Sequence, residues 1–244
     1  LHYPLRRQRQ MCIRDRSIDH GAGNLKLHGA EGGVIIPTRA ATAIDGYLSD
    51  AIGLRVGTPP RRIWTDGWKI YVGENAPHWG RNLDDLSDGR FSTGAPGVRA
   101  VTYAAMHAYM ETYGVHLRDV TVYVGLPHTA LDADNAPETI TGIKTWLRGE
   151  HRWNVDGMPC VATIADVFVT AQSAGALYDY LLDDDGEFRP GMAQRYRVGE
   201  IGVMSIGMNT VEMMATEARE VVQNFTGGDT CGVRRLLELS LIHI

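Results

Sequence analysis

The hydrophobic and polar positions of the chain divide it into short strands and a few helices. Between Val98 and Tyr113, apolar side chains recur at the spacing of one helix face. Gly114 follows this run directly, as is typical of a helix end. Three further helices are predicted, over residues 137–147, 172–182 and 231–239.

Short apolar runs bounded by turn residues predict strands on both sides of these helices. Thr65-Asp66-Gly67 separates two such runs and is typical of a hairpin turn. Strands, then alternating helices and strands, then strands again indicate the α/β class. The predicted strands are residues 17–20, 25–28, 34–37, 61–64, 68–72, 120–124, 153–155, 161–169, 201–206, 211–215 and 220–225.

Composition narrows the class of protein. The 244 residues are 44% apolar and 22% charged, which fits a globular protein and excludes collagen, low-complexity chains and disulfide scaffolds. No long uncharged apolar run occurs, so we expect no membrane-spanning helix. The net charge of −5 argues against a protein whose task is to coat nucleic acid. Three scattered cysteines without zinc-site spacing predict a reducing, cytoplasmic location.

The two ends of the chain differ from the rest. Residues 1–16 show no strand or helix periodicity, and their string MCIRDR resembles a translated sequencing adapter. The final string LSLIHI resembles a second one. We therefore expect 1–16 and 240–244 to be non-native, with a basic N-terminal arm as the alternative. Removing the five arginines and one aspartate of the first segment changes the net charge from −5 to about −9.

A glycine-rich segment near the start has the composition of a phosphate-binding loop. Asp19 ends an apolar strand, and its carboxylate can hold Mg²⁺ through water. Gly21 and Gly23 permit a tight turn whose amide N–H groups can face an anion. Asn24 can add a donor, and Lys26 can reach a phosphate as a point charge. A plain hairpin with a glycine turn is the alternative, because short glycine motifs are common.

A second segment repeats this arrangement. An apolar strand leads into Gly207, and Asn209 and Thr210 follow before the next strand. Two opposed loops of this kind can clamp a phosphate chain from both sides. Gln172 opens a predicted helix between them in the sequence, and its amide can orient a water for in-line attack. A polar contact at a helix start is the alternative for Gln172.

Taken in order, these pieces resemble the actin-like ATPase superfamily, in particular ParM-type plasmid-segregation actins and their archaeal and phage relatives. The resemblance covers residues 17–239. It implies one complete RNase H-like α/β domain over 17–186 and the start of a second, truncated domain over 187–239. The matching segments are IDHGAGNLK, WTDGWKIYVGENA, VYVGLP, FVTAQSAGALYDYLL and VMSIGMNTVEMM.

The resemblance implies a role for each candidate residue. Asp19 would organise the water shell of Mg²⁺, and Gln172 would orient the attacking water. Glu212, assigned to the same nucleotide site, stands where relatives usually have aspartate. The implied ligands are ATP or GTP with Mg²⁺, and the implied reaction is hydrolysis of ATP to ADP and phosphate. The phosphates would be contacted by Gly21, Gly23, Asn24 and Lys26 from one side and by Gly207, Asn209 and Thr210 from the other.

Two departures from the family pattern bear on this expectation. Relatives usually have aspartate before the second loop, whereas this chain has Ser205. A hydroxyl brings no charge to balance Mg²⁺. The change predicts weaker metal binding or slower hydrolysis. In addition, the adenosine-binding region of the family follows residue 239, so we expect it to be missing from this chain.

The resemblance also implies partners. Subunits would assemble head to tail into filaments, because such an open arrangement yields helical polymers. A DNA-binding adaptor protein would link them to plasmid or phage DNA, so no direct contact with nucleic acid or membrane is expected. Two other functions stay open: a nucleotide-binding structural protein with little hydrolysis, motivated by Ser205, and a kinase or chaperone ATPase of the same superfamily.

Overall fold

The computed structural model of the chain describes residues 14–44, 57–83, 91–131, 134 and 136–242. Most of the segment that we expect to be non-native, residues 1–13, therefore lies outside the described residues, as do 243–244. The helices and strands given below all belong to the described ranges.

The longest helix shows how local sequence sets its ends. It starts at Pro96, whose missing N–H costs nothing in a first turn. It stops at Gly114, whose φ of 65° is left-handed. The helices are α1 (Pro96–Tyr113), α2 (Ala136–Leu147), α3 (Gln172–Leu181), α4 (Met192–Val198) and α5 (Val233–Ile242). The hydrophobic pattern did not predict α4, which is only seven residues long.

The strands occupy the predicted positions, with additions. The short strands β4, β7 and β14 are new relative to the sequence prediction. The strands are β1 (Asp15–His20), β2 (Asn24–Gly29), β3 (Gly32–Pro37), β4 (Ala40–Ala43), β5 (Arg61–Thr65), β6 (Trp68–Val72), β7 (Gly80–Asn82), β8 (Val120–Leu126), β9 (Gly149–Val155), β10 (Met158–Ala171), β11 (Glu200–Ile206), β12 (Val211–Glu217), β13 (Glu220–Val221) and β14 (Gly227–Asp229).

Backbone contacts divide the chain into two units. The first runs to Val124 and includes Glu138–Phe168, and the second comprises Gly125–Pro137 and Val169–Ile244. The first loop lies in the first unit, whereas Gln172 and the second loop lie in the second. This division does not coincide with the predicted boundary between residues 186 and 187, which concerns sequence-related halves and stays a prediction.

A large sheet forms the frame of the first unit. Its strand order within the described ranges is β3-β2-β1-β8-β10-β9-β5-β6-β4-β7. Helix α1 packs against β2, β3, β5 and β6, and its buried alanines permit a close approach. The fully buried side chains here include Ile18, Leu25, Leu27, Ile63, Ile70, Val101, Ala105 and Val122. The packing of α1 holds the β1–β2 hairpin, whose tip is the first loop.

A smaller sheet forms the frame of the second unit. Strand β12 pairs with β11 on one side and with β13 and β14 on the other. Leu177 and Leu181 of α3 pack against Ile201 and Met214 of this sheet. The second loop connects β11 to β12, so this core fixes both ends of the loop.

The strand prediction for residues 220–225 is wrong in its second half. Pairing with β12 ends at Val221, and residues 223–225 form a single 3₁₀ turn. Thr226 replaces the missing ladder partner: its hydroxyl accepts from the N–H of Ala215 (3.2 Å) and donates to the carbonyl of Val222 (3.0 Å). Because this hydroxyl accepts from a backbone N–H of β12, the chain can leave the sheet here without an unpaired donor in β12.

Strand β1 begins inside the segment that we expect to be non-native. The side chain of Arg16 is buried, pairs with Glu31 at 3.1 Å, and lies over the Tyr109 ring. The non-native origin of residues 1–16 stays a prediction. Among the described residues, no helix combines the length and apolar character that crossing a membrane demands.

Candidate functional site

The first loop is the tip of the β1–β2 hairpin. Asp19 and Lys26 are cross-strand partners, and Lys26 Nζ lies 2.9 Å from Asp19 Oδ2. The Lys26 side chain is 58% exposed, so water screens the ion pair and its contribution to stability is small. The pair brings one cation and one carboxylate together beside the loop.

Thr38, which follows β3, holds this loop from one side. Its hydroxyl donates to the carbonyl of Gly21 (2.7 Å) and its N–H donates to that of Gly23 (3.0 Å). The C=O and N–H of a planar trans peptide point in opposite directions. The N–H groups of Ala22 and Asn24 therefore point away from Thr38, an arrangement that suits an anion. Sequence reasoning missed Thr38, because its only local signal is a threonine after a strand.

Gly21 leaves no room for a side chain. A Cβ at this position would lie 2.8 Å from the carbonyl oxygen of Asn24, which is closer than van der Waals contact permits. A side chain at the start of the loop is therefore excluded sterically, because the backbone of Asn24 occupies the space that a Cβ would need.

His20 fixes the hairpin tip to the interior of the first unit. Its Nε2 lies 3.1 Å from the hydroxyl of Thr102 on α1, and its ring lies 4.3 Å from that of Phe91. Burial of the ring lowers the pKa of His20 to about 3, with a smaller opposing effect of a hydrogen bond to the Val98 backbone. The imidazole is therefore neutral in the folded chain at physiological pH.

We expect His20 to contribute to acid unfolding. Its pKa is lower in the folded state, so the unfolded chain binds the proton first and the stability present above pH 6.5 is lost as the pH falls towards 3. One such proton changes the free energy of unfolding by about 1.4 kcal/mol per pH unit. Urea unfolding of His20→Gln between pH 7 and 4 should show a shallower loss than the unaltered chain. His28→Gln, on the exposed side of β2, is the control, and equal slopes for the two variants would contradict the assignment.

The second loop is held by hydrogen bonds from the start of α5. The N–H groups of Val233 and Arg234 donate to the carbonyls of Gly207 (3.0 Å) and Met208 (2.8 Å), and that of Gly232, directly before the helix, donates to the carbonyl of Asn209 (3.1 Å). The N–H groups of residues 208–210 belong to the same three peptides, so they point away from α5. The turn is closed by the Gly207 N–H, which donates to the carbonyl of Thr210 (2.8 Å). Successive amide N–H groups on one side of a tight turn form an anion-binding concavity.

Gly232 makes this contact between helix and loop possible. It is buried directly before α5, and a Cβ there would lie 2.6 Å from backbone atoms of both Gly207 and Asn209. The loop also satisfies N–H groups that a helix start leaves without internal partners. Sequence reasoning predicted the helix and missed the role of Gly232, whose signal was a glycine at the helix start.

Glu212 is buried in β12, directly opposite Ser205 of β11. It is 1% exposed, and its Oε1 accepts a hydrogen bond from the backbone N–H of His128 (2.8 Å). Cross-strand partners share a face of the sheet, so the hydroxyl of Ser205 and the carboxylate of Glu212 lie on the same, inner face. Glu212 thus makes a structural contact through Oε1, and its assignment to the nucleotide site stays a prediction.

Gln172 is the first residue of α3, as predicted. Ala171 before it supplies no side-chain cap. The next residue, Ser173, is fully buried, and its hydroxyl lies 2.7 Å from Nε2 of His128. The orientation of the helix start is therefore set by contacts of Ser173 and not by a local cap.

The predicted residues fall into two groups by unit. Their meeting across a shared cleft is a prediction and belongs to the proposal below. The first unit holds Asp19, Gly21, Gly23, Asn24 and Lys26 on one hairpin, and the second unit holds Gln172, Gly207, Asn209, Thr210 and Glu212.

Solved structures align with most of this chain. The apo ParM protein of psk41 aligns with 94% of this chain and 70% of its own, with a TM-score of 0.69 and 13% identity. The chain has an actin-like fold. An archaeal actin homologue in complex with ADP (TM-score 0.64, 19% identity, 93% and 64% of the two chains) and a filament structure of AlfA from the B. subtilis plasmid pLS32 (0.64, 12%, 94% and 77%) also align.

The actin-like fold of the ParM type confirms the predicted fold class. At these identities the likeness establishes the fold and not an activity. No protein-family model and no curated protein sequence matches the chain. The chain spans 64% of the length of the archaeal homologue and 70% of that of the psk41 protein.

Proposed function

We propose that the chain is the phosphate-binding part of an actin-like ATPase that forms filaments. The observation that carries the proposal is the second loop. There, N–H groups at the start of α5 donate to three successive loop carbonyls, so the N–H groups of residues 208–210 point to the opposite side. These donors suit the phosphate oxygens of ATP or GTP. The first loop adds the N–H groups that point away from Thr38, together with the Lys26 ammonium.

Two of the structural neighbours support a nucleotide as the ligand. One is the archaeal actin homologue in complex with ADP, and the other is an AlfA filament bound to AMPPNP. In our proposal Gly21, Gly23, Asn24 and Lys26 contact the phosphates from one side, and Gly207, Asn209 and Thr210 contact them from the other.

Filament formation and DNA segregation belong to the same proposal. The AlfA neighbours are filament structures, and a head-to-tail contact between copies of this chain would extend without closing. A DNA-binding adaptor protein would connect such a filament to plasmid or phage DNA in the cytoplasm. The net charge of −5 suits this indirect arrangement, because an acidic surface repels phosphates.

The residues present fit a Mg²⁺ ion that keeps most of its water. Within the described ranges no group of three or more His, Cys, Asp or Glu side chains could hold a metal directly. Mg²⁺ needs no such cage, since it binds through one or two carboxylates, water and nucleotide phosphates. Asp19, beside the Lys26 ammonium, would supply the carboxylate. When bound, the ion would neutralise charge on the phosphates.

In the proposed reaction, the chain positions a water and binds the leaving phosphates. Gln172 would orient the water through its amide, which both donates and accepts hydrogen bonds. The loop N–H groups would stabilise the charge that develops on the phosphate oxygens. Ser205 favours a second candidate function, a nucleotide-binding protein with little hydrolysis, because the inner face of β11 lacks a carboxylate at that position.

We expect Lys26→Ala to weaken nucleotide binding by about tenfold, which corresponds to about 1.4 kcal/mol. The variant removes a cation beside the loop and releases Asp19 from its ion pair. Titration with a fluorescent ATP analogue in the presence of Mg²⁺ measures the effect. Competition by unlabelled ATP in the same assay shows whether the analogue binds a saturable site.

Lys69→Ala is the matched control for this titration. Lys69 lies exposed on β6 of the same unit, so its loss changes the net charge equally without altering the loop. The proposal fails if the unaltered chain shows no saturable binding, or if the two lysine variants bind the analogue equally well.

A further inference from the structure

The start of α3 lacks the usual means of fixing a helix end. The residue before it, Ala171, has no side chain that can accept from the first N–H groups. A first turn without a cap frays easily. Contacts of the residues in and next to this turn therefore help to decide where Gln172 lies.

Ser173 provides a contact in this turn. It is 0% exposed, and its Oγ lies 2.7 Å from Nε2 of His128. The same hydroxyl donates to Sδ of Met214 at 3.5 Å. Burial lowers the pKa of His128, so the imidazole is neutral at neutral pH and the pair is a hydrogen bond between neutral groups. The hydrogen bond is partly buried, and its Ser173 end is shielded from competition by water.

Both partners of this hydrogen bond are tied to the strand that leaves the second loop. Met214, which contacts Ser173, lies on β12. Glu212, two residues earlier on the same inner face, accepts from the backbone N–H of His128 at 2.8 Å. Glu212 and Met214 are 1% and 4% exposed. Two neighbouring positions of β12 thus hold His128 by its backbone and Ser173 by its hydroxyl.

We propose that His128 and Ser173 are a positioning pair that fixes Gln172 relative to the second loop. The inference rests on the proposed function, because it assigns a purpose to a defined Gln172 side chain. Neither member of the pair acts on the nucleotide. Ser173 sets the direction of the first turn of α3. His128 links Ser173 to β12, because it contacts both Ser173 and Glu212 of that strand.

The direct test follows the side-chain amide of Gln172 by NMR. The chain contains five glutamines, so ¹⁵N-glutamine labelling gives few signals, and Gln172→Glu assigns the relevant one. We expect Ser173→Ala and His128→Leu each to shift this signal. The double variant should show the same shift as either single variant, because members of one pair are not additive. His128→Gln retains an amide near the position of Nε2 and should restore most of the original signal.

Gly175→Ala is the control on the same helix, since a Cβ there meets no atom within 4 Å. The inference is overturned if Ser173→Ala leaves the Gln172 signal in place, or if the shifts of the two single variants add in the double variant. Nucleotide affinity is measured separately and should be unchanged in these variants. Absence of nucleotide binding in the unaltered chain would end the proposed function, whereas the NMR result judges the pair by itself.

Discussion

Replacing Gly232 by alanine should lower the free energy of unfolding of the chain by about 2–4 kcal/mol and abolish the proposed phosphate binding. The new Cβ would lie 2.6 Å from backbone atoms of Gly207 and Asn209 and 2.7 Å from the carbonyl oxygen of Met208. Backbone atoms cannot rotate aside, so the start of α5 must retreat. Its three hydrogen bonds to the loop would then break, each worth about 0.5–1.5 kcal/mol. Urea unfolding measures the change in stability, and hydrogen exchange at Val233 reports the broken hydrogen bonds. Titration with the fluorescent ATP analogue measures the loss of binding.

Gly202→Ala is the matched control for Gly232→Ala. Gly202 lies exposed on β11 of the same unit, and a Cβ there meets nothing within 4 Å. The same chemical change should therefore leave stability and phosphate binding nearly untouched. If the two alanine variants unfold within about 0.5 kcal/mol of each other, the loop does not depend on α5 in the way described.

Replacing Ser205 by aspartate should destabilise the chain by about 1–3 kcal/mol in the absence of Mg²⁺, and Mg²⁺ should reverse much of this loss. The new carboxylate would lie opposite the buried Glu212 on the same face of the sheet. Two like charges in direct opposition repel, and a divalent cation relieves the repulsion. Urea unfolding with and without Mg²⁺ measures the change. Faster phosphate release from ATP in the same variant would show that the serine limits hydrolysis.

Two variants separate charge from size in this experiment. Ser205→Asn has the shape of the aspartate variant without its charge and should respond little to Mg²⁺. Adding Glu212→Gln to Ser205→Asp removes the repulsion and should abolish the Mg²⁺ dependence. Equal stability of Ser205→Asp and Ser205→Asn at every Mg²⁺ concentration would show that the two positions do not share a charge environment.

Local patterns predicted the elements that depend on local physics. The turns at Asp66-Gly67 and Asp156-Gly157 adopt the positive φ angles that their sequences favour. Helix α1 begins and ends at the proline and glycine that bound its apolar run. In contrast, the residues that hold the two loops were not predicted. Thr38 and Gly232 lie far along the chain from the loop residues they contact.

The burial of Glu212 shows most clearly what the sequence leaves undecided. Strand β12 has apolar residues on both faces, and the inner one holds Glu212, Met214 and Thr216. Its outer face carries Val211, Met213 and Ala215, which are more exposed. Alternation alone would have placed the carboxylate in water. The tertiary structure buries it, and the backbone N–H of His128 donates a hydrogen bond to it there.

The sequence alone determined the order of strands, turns and long helices, and with it the α/β class. It also determined the composition of both loops. These features depend on side-chain periodicity and on backbone conformations within a few residues. Only the tertiary structure decided three other features: which loop carbonyls accept hydrogen bonds, which face of β12 is buried, and how the start of α3 is held. Each depends on a hydrogen bond or a close approach between segments distant in the chain, and no local pattern records such a contact.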